Sequence, residues 1–119
     1  MREQIENDVE TFMLKKAEEM GFDFYKFVSP GHKGVPDRIV VGHGYTFFVE
    51  LKRSEDEEPR SSQKHTINKL IDKGALAYVV GSKEQAVDLL TKVKNGHPPK
   101  PIKFKMARKI FDLRKEKSK

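Results

Sequence analysis

Cysteine is absent from the 119-residue sequence, which excludes a disulfide framework, a thiolate metal site and a thiol nucleophile. Long hydrophobic runs are missing as well. The opening stretch MREQIENDVETFMLKKAEEMG is charged and amphipathic, unlike a signal peptide or a membrane span. His32, His43, His65 and His97 lack zinc-ligand spacing, and no ATP-binding, helicase or recombinase motif occurs. These absences leave the expectation of a soluble, intracellular protein with no membrane partner and no nucleotide cofactor.

Charge is what the chain has in quantity. Charged residues make up 35% and hydrophobic residues 36%, a lean composition that still suits one domain with a single core. The net charge of +6 is unevenly spread. From His97 onward nine basic residues face two acidic ones, which leaves fifteen basic against sixteen acidic in residues 1–96. The expected organisation is therefore a near-neutral domain over 1–96 and a basic extension over 97–119.

Two apolar runs, Arg38-Ile39-Val40-Val41 and Tyr45-Thr46-Phe47-Phe48-Val49, flank Gly42-His43-Gly44 and predict a β-hairpin. A two-residue loop at His43-Gly44 pairs Gly42 with Tyr45 and sets Asp37 opposite Glu50; a three-residue loop offsets them by one. Opposed carboxylates roughly 4.5–5.5 Å apart at Cβ destabilise a sheet unless something neutralises them. A hard cation such as Mg²⁺ or Mn²⁺, content with one or two carboxylates plus water and phosphate oxygens, does so. Lys52 follows Glu50 by two residues and projects from the same strand face. Pro36-Asp37 and Glu50-Leu51-Lys52 are each common on charged surfaces, but here they end buried-looking strands.

In chain order, Ile5, Val9, Phe12, Met13, Ala17 and Met20 predict a first helix that stops at Gly21. A strand over 22–28 follows. The loop Ser29-Pro30-Gly31-His32-Lys33-Gly34 is dense in breakers and offers His32 and Lys33 beside backbone amides that suit a phosphate. After an acidic loop over 54–59, Ser61 or Ser62 is the expected N-cap of a second helix that buries Ile67, Leu70 and Ile71 and ends at Gly74. Gln63 falls in its first turn, where its amide reaches a water or Lys52 if the helix packs beside the hairpin. Leu76–Val80 is a short buried strand, and Ser82 caps a third helix with Ala86, Val87, Leu89, Leu90 and Val93 inward. The order α-β-β-β-α-β-α predicts an α/β three-layer core, a small mixed β-sheet flanked by helices. Beyond His97-Pro98-Pro99, the spacing of Phe104, Ala107, Ile110, Phe111 and Leu113 fits a basic C-terminal helix or, alternatively, an arm that orders on phosphates.

Tyr25-Lys26-Phe27, Gly34-Val35-Pro36-Asp37-Arg38-Ile39, Phe48-Val49-Glu50-Leu51-Lys52, Gln63 and Gly74 together resemble the VRR-NUC family of the PD-(D/E)xK nuclease superfamily, over about residues 5 to 92. The resemblance implies a restriction-endonuclease-like fold. It implies Asp37 and Glu50 as metal ligands with the Leu51 backbone carbonyl, Lys52 as catalytic lysine and Gln63 as the helix-borne glutamine. The first-helix acid aligns with Glu10, with Glu6 as the alternative, and holds a water or a second ion. Free-standing members resemble Holliday junction resolvases. The expected activity is thus an Mg²⁺- or Mn²⁺-dependent, structure-selective DNA endonuclease acting as a homodimer on branched DNA, in the cytoplasm of a bacterium or a phage-infected host. Lys26, His32, Lys33, Arg38, Arg53, Lys105, Arg108 and Lys109 are the candidate DNA contacts. The competing expectation is an inactive or accessory DNA-binding module of the same fold, and a nuclease acting on RNA would share the same hydrolytic residues.

Overall fold

In the computed structural model of the protein, which describes residues 2–106 and side chains from residue 8 onward, the hairpin fixes the rest. Strand β2 (Arg38–Gly42) turns through His43 and Gly44, whose φ values of 54° and 88° suit a two-residue hairpin loop, into β3 (Tyr45–Leu51). Gly42 pairs with Tyr45 and Arg38 with Val49, the register expected for the two-residue loop. Continued by one residue, that register sets Asp37 against Glu50.

The sheet runs β1-β2-β3-β4, with β1 (Asp23–Lys26) antiparallel to β2 and β4 (Leu76–Val80) parallel to β3. The parallel pair requires a crossover, and α2 (Ser61–Asp72) supplies it. Helices α1 (Arg2–Glu19) and α3 (Lys83–Lys94) pack together on the other side. The α/β order is as expected. The first strand is shorter than the sequence pattern implies, because Phe22 is drawn out of the ladder into the core beneath Phe47 and His43.

Alternation along the strands sorts the two faces. Val40, Phe47, Val49 and Val80 point toward α1 and α3 and join Val9, Met13, Ala17, Ala86, Leu89, Leu90 and Val93 in one core. Full burial of each Val, Leu, Met or Phe side chain here stabilises by about 1.5–3 kcal/mol relative to exposure. Val87 is 36% exposed, so it lies off the inward stripe assigned to it from spacing. Its immediate neighbour Ala86 fills that position instead.

Among the described residues, α1, α2 and α3 end in the same way. The amide of the residue after Gly21, Gly74 or Gly96 bonds back to the carbonyl of Ala17, Leu70 or Lys92, at 2.8–2.9 Å. This is the Schellman closure, with glycine in the left-handed position. At its other end, α2 departs from expectation. Arg60 rather than Ser61 or Ser62 occupies the N-cap, and Gln63 Oε1 accepts the Arg60 N–H at 2.9 Å. The third helix is capped as expected, with Ser82 Oγ accepting from Gln85 N–H.

Residues 97–106 form no helix and run as a strap over α2 and β4. Asn68 grips the Phe104 backbone twice, donating to its carbonyl and accepting from its amide, and Tyr78 Oη donates to Pro99 O at 2.6 Å. Burial pushes the Tyr78 hydroxyl up to about 12. The remainder of the expected terminal helix, including Ala107, Ile110, Phe111 and Leu113, lies outside the described residues, as do the side chains of Ile5 and Glu6.

Candidate active site

The site forms where β2 begins and β3 ends. Phe27 N–H bonds to Asp37 O at 2.8 Å, extending the β1-β2 ladder by one step, and Leu51 N–H donates to Asp37 Oδ2 at 3.0 Å. The Asp37 carboxylate is thereby held across the end of β3. A strand residue turns its N–H and C=O to the same side, so the Leu51 carbonyl faces the Asp37 side as well, while Lys52 N–H bonds to Val80 O on the other.

Glu50 is 1% exposed. Its Oε2 accepts from Gln63 Nε2 at 2.6 Å and stands 3.1 Å from Lys52 Nζ. Gln63 Oε1 in turn accepts from Lys52 Nζ at 3.2 Å as well as from Arg60 N–H. One amide thus ties the first turn of α2 to both the acid and the lysine of the E-x-K strand. The second Glu50 oxygen, Oε1, is buried with no hydrogen-bond partner. Burial, followed by the charge of Asp37, raises the Glu50 carboxyl above its ordinary value of 4.5, and Lys52 only partly offsets this.

A buried carboxylate oxygen without a donor, beside a second carboxylate and facing no further acid, is a fit for a hard divalent cation. Asp37, Glu50 and the Leu51 carbonyl are the groups that would hold it. Among the described residues no cluster of three or more His, Asp or Glu side chains is close enough to hold an ion together. Glu10 reaches the same cleft from α1, where both Nε and Nη2 of Arg38 donate to its Oε2.

The cleft has a volume of about 440 Å³. Asp37, Leu51 and Lys52 line it from the sheet end, Glu10 and Arg38 from the α1 side, and Lys26, Phe27, Arg53 and Glu57 complete the rim. Three of the expected nucleic-acid contacts, Lys26, Arg38 and Arg53, are therefore here. His32 and Lys33 are exposed on a loop tucked against α2, with Thr66 Oγ1 donating to Lys33 O. Lys105 lies on a separate cleft with Glu55, Glu58 and Lys64, and Arg108 and Lys109 are outside the described residues. Phe27 belongs to the Tyr25-Lys26-Phe27 motif, whereas Glu57 is not singled out by the sequence. Glu57 sits in what reads as an acidic surface loop, and its carboxylate accepts from Arg53 N–H at 2.8 Å at the rim of the cleft.

No family model matches the chain. Over 80 residues it is 35% identical to "Putative nuclease p44" of Acyrthosiphon pisum secondary endosymbiont phage 1, an alignment covering 66% of this chain and 85% of that protein. A solved structure described as a VRR_NUC domain superposes with a TM-score of 0.69 at 30% identity, covering 73% of this chain and 95% of the other. Identity sustained along most of the phage protein, joined to a sheet and helices that follow those of a VRR-NUC domain, makes this chain a member of the VRR-NUC family of nucleases.

Proposed function

We propose that the protein is a divalent-metal-dependent endodeoxyribonuclease that hydrolyses phosphodiester bonds in branched DNA as a homodimer, in the manner of a Holliday junction resolvase. The observation that carries the hydrolytic reading is the buried, half-unpartnered Glu50 carboxylate beside Asp37, with Lys52 and Gln63 bonded to it. Mg²⁺ or Mn²⁺ bound by these groups supplies Lewis acidity and a more acidic water.

Asp37 and Glu50 provide the anionic oxygens, and the bond from Leu51 N–H keeps Asp37 from turning away. Lys52, 12% exposed at its side chain, is held between Glu50 and Gln63 and brings its ammonium group to the developing charge on the phosphate. Gln63 is a positioning residue: it orients acid and lysine together without reaching the phosphate itself. Glu10, bonded to Arg38 on the other sheet face, would hold a water or a second ion. Symmetric cleavage of two opposed strands needs two such centres, which a two-fold dimer of a small single domain supplies. No groove-reading element accompanies the cleft among the described residues, which favours recognition of DNA shape over base sequence.

Incubation with linear, flap, splayed and four-way DNA under Mg²⁺ and Mn²⁺, with an EDTA control, tests the proposal. Paired nicks in the four-way substrate that disappear with EDTA and in Asp37→Ala and Glu50→Ala are the expected result. Cleavage by either variant at the wild-type rate overturns the site, binding without cleavage points to a DNA-binding module, and a monomer by light scattering on junction DNA overturns the dimer.

A further inference from the structure

The cleft carries a second charged feature, on the α1 face of the sheet. Lys26 and Arg38 are direct partners across β1 and β2. Opposed side chains of like charge destabilise such a pair unless an anion lies between or beside them. Phe24, two residues before Lys26 and on the same face, has its ring centroid 5.4 Å from the Arg38 guanidinium carbon, which shelves the guanidinium over the aromatic surface.

The Nε and Nη2 edge of Arg38 is the side that takes a carboxylate or phosphate in a fork. A single oxygen of Glu10 occupies it. The Glu10 side chain is 39% exposed, so its hold is that of a surface ion pair, open to exchange with another anion. Lys26 is exposed and has no carboxylate partner among the described residues. A phosphodiester matches the charge of the carboxylate and brings two free oxygens, enough to meet the Arg38 fork and the Lys26 ammonium together. Glu10 meets only the first.

We infer that Lys26 and Arg38 form a clamp for a backbone phosphate of the nucleic-acid substrate, and that Glu10 is the displaceable counter-anion that keeps this clamp closed in the free protein. Arg38 pairs with Val49, whose side chain is in the α1-side core, whereas Glu50 and Lys52 project from the opposite face. The clamped phosphate is therefore a neighbour of the one that is cut. The inference rests on the nuclease reading for its ligand but not for its test.

The experiment measures binding of a fluorescently labelled four-way DNA junction by anisotropy in EDTA, where hydrolysis is off. Glu10→Gln tightens binding about two- to fivefold, the range an exposed ion pair contributes. Arg38→Gln and Lys26→Ala each weaken it by about tenfold and lower the slope of log affinity against log salt by about one. Glu10→Gln adds nothing in the Arg38→Gln background. A gain that persists without Arg38 reflects general charge and overturns the inference, as does unchanged or weaker binding by Glu10→Gln, or undiminished binding by Arg38→Gln or Lys26→Ala. The gain from Glu10→Gln is a result no folding defect imitates, and Arg38→Lys, with charge kept and fork lost, supplies a milder loss should Arg38→Gln fold poorly. Failure of the wild type to cut the same junction with Mg²⁺ or Mn²⁺ would remove the hydrolytic reading and leave these binding results intact.

Discussion

Replacing Glu50 by Gln should make the metal-free protein more stable at neutral pH while abolishing cleavage. Glu50 is 1% exposed, one of its oxygens has no partner, and Asp37 lies beside it, so the ionised form is disfavoured in the fold. The raised proton affinity already includes the attraction of Lys52, so the neutral isostere gains on balance even though it gives up the ion pair. Its amide oxygen still accepts from Gln63 and Lys52. In the unfolded chain Glu50 titrates near its ordinary 4.5; below that both states hold the proton and nothing is lost. As pH rises through the elevated folded value, the native state must give up a proton it binds more tightly than the unfolded chain does, and this stability disappears. Each tenfold difference in proton affinity is worth about 1.4 kcal/mol. A gain of about 1 kcal/mol moves the melting midpoint by roughly 3–6 °C for a domain of this size. Thermal melts in EDTA should therefore show Glu50→Gln above wild type at pH 8 and equal to it near pH 4.5. Excess Mg²⁺ or Mn²⁺ should reverse the order by stabilising the wild type alone, by about 2.7 kcal/mol at a hundredfold excess over the dissociation constant. A variant less stable than wild type at pH 8 without metal would refute the reasoning, because pairing with Lys52 would then outweigh burial.

Three other substitutions probe the same geometry. Gln63→Ala removes one amide that serves Glu50, Lys52 and the Arg60 N–H, and should cost about 1–3 kcal/mol in stability with a larger fall in kcat than in substrate affinity, read by chemical denaturation and steady-state cleavage. Gly34→Ala places a Cβ 2.4 Å from Ser62 O at a φ of +89°, so denaturation should register a loss above about 2 kcal/mol and cleavage should drop as α2 is pushed off the site. Asn68→Ala frees the Phe104 backbone from both its bonds, and hydrogen exchange should rise at Phe104 while cleavage of the four-way junction is unchanged.

The hairpin and its consequences were legible because a two-residue turn leaves no freedom in register: once His43 and Gly44 form the loop, Asp37 and Glu50 are committed to each other. The helix stops at Gly21 and Gly74 were equally local. What escaped sequence reasoning involves partners on different elements. Ser61 and Ser62 have the chemistry of an N-cap, yet the chain enters α2 one residue earlier, and Gln63 performs the capping across three residues while also holding the site. The bond between Glu10 on α1 and Arg38 on β2 is likewise a tertiary contact, between residues 28 apart, that no local pattern encodes. Glu57 was hidden inside an acidic run whose backbone path decides which member faces the cleft.

Strand β3 is hydrogen-bonded along both margins, antiparallel to β2 and parallel to β4. Like β2, it is an interior strand whose amides open only when a neighbouring strand leaves, so the segment carrying Glu50 belongs to the most protected part of the sheet. Conformational adjustment then falls to the periphery, to short β1 at the edge of the sheet, rather than to the strand that carries Glu50. A pliable edge and a rigid centre are thus built into one four-stranded sheet.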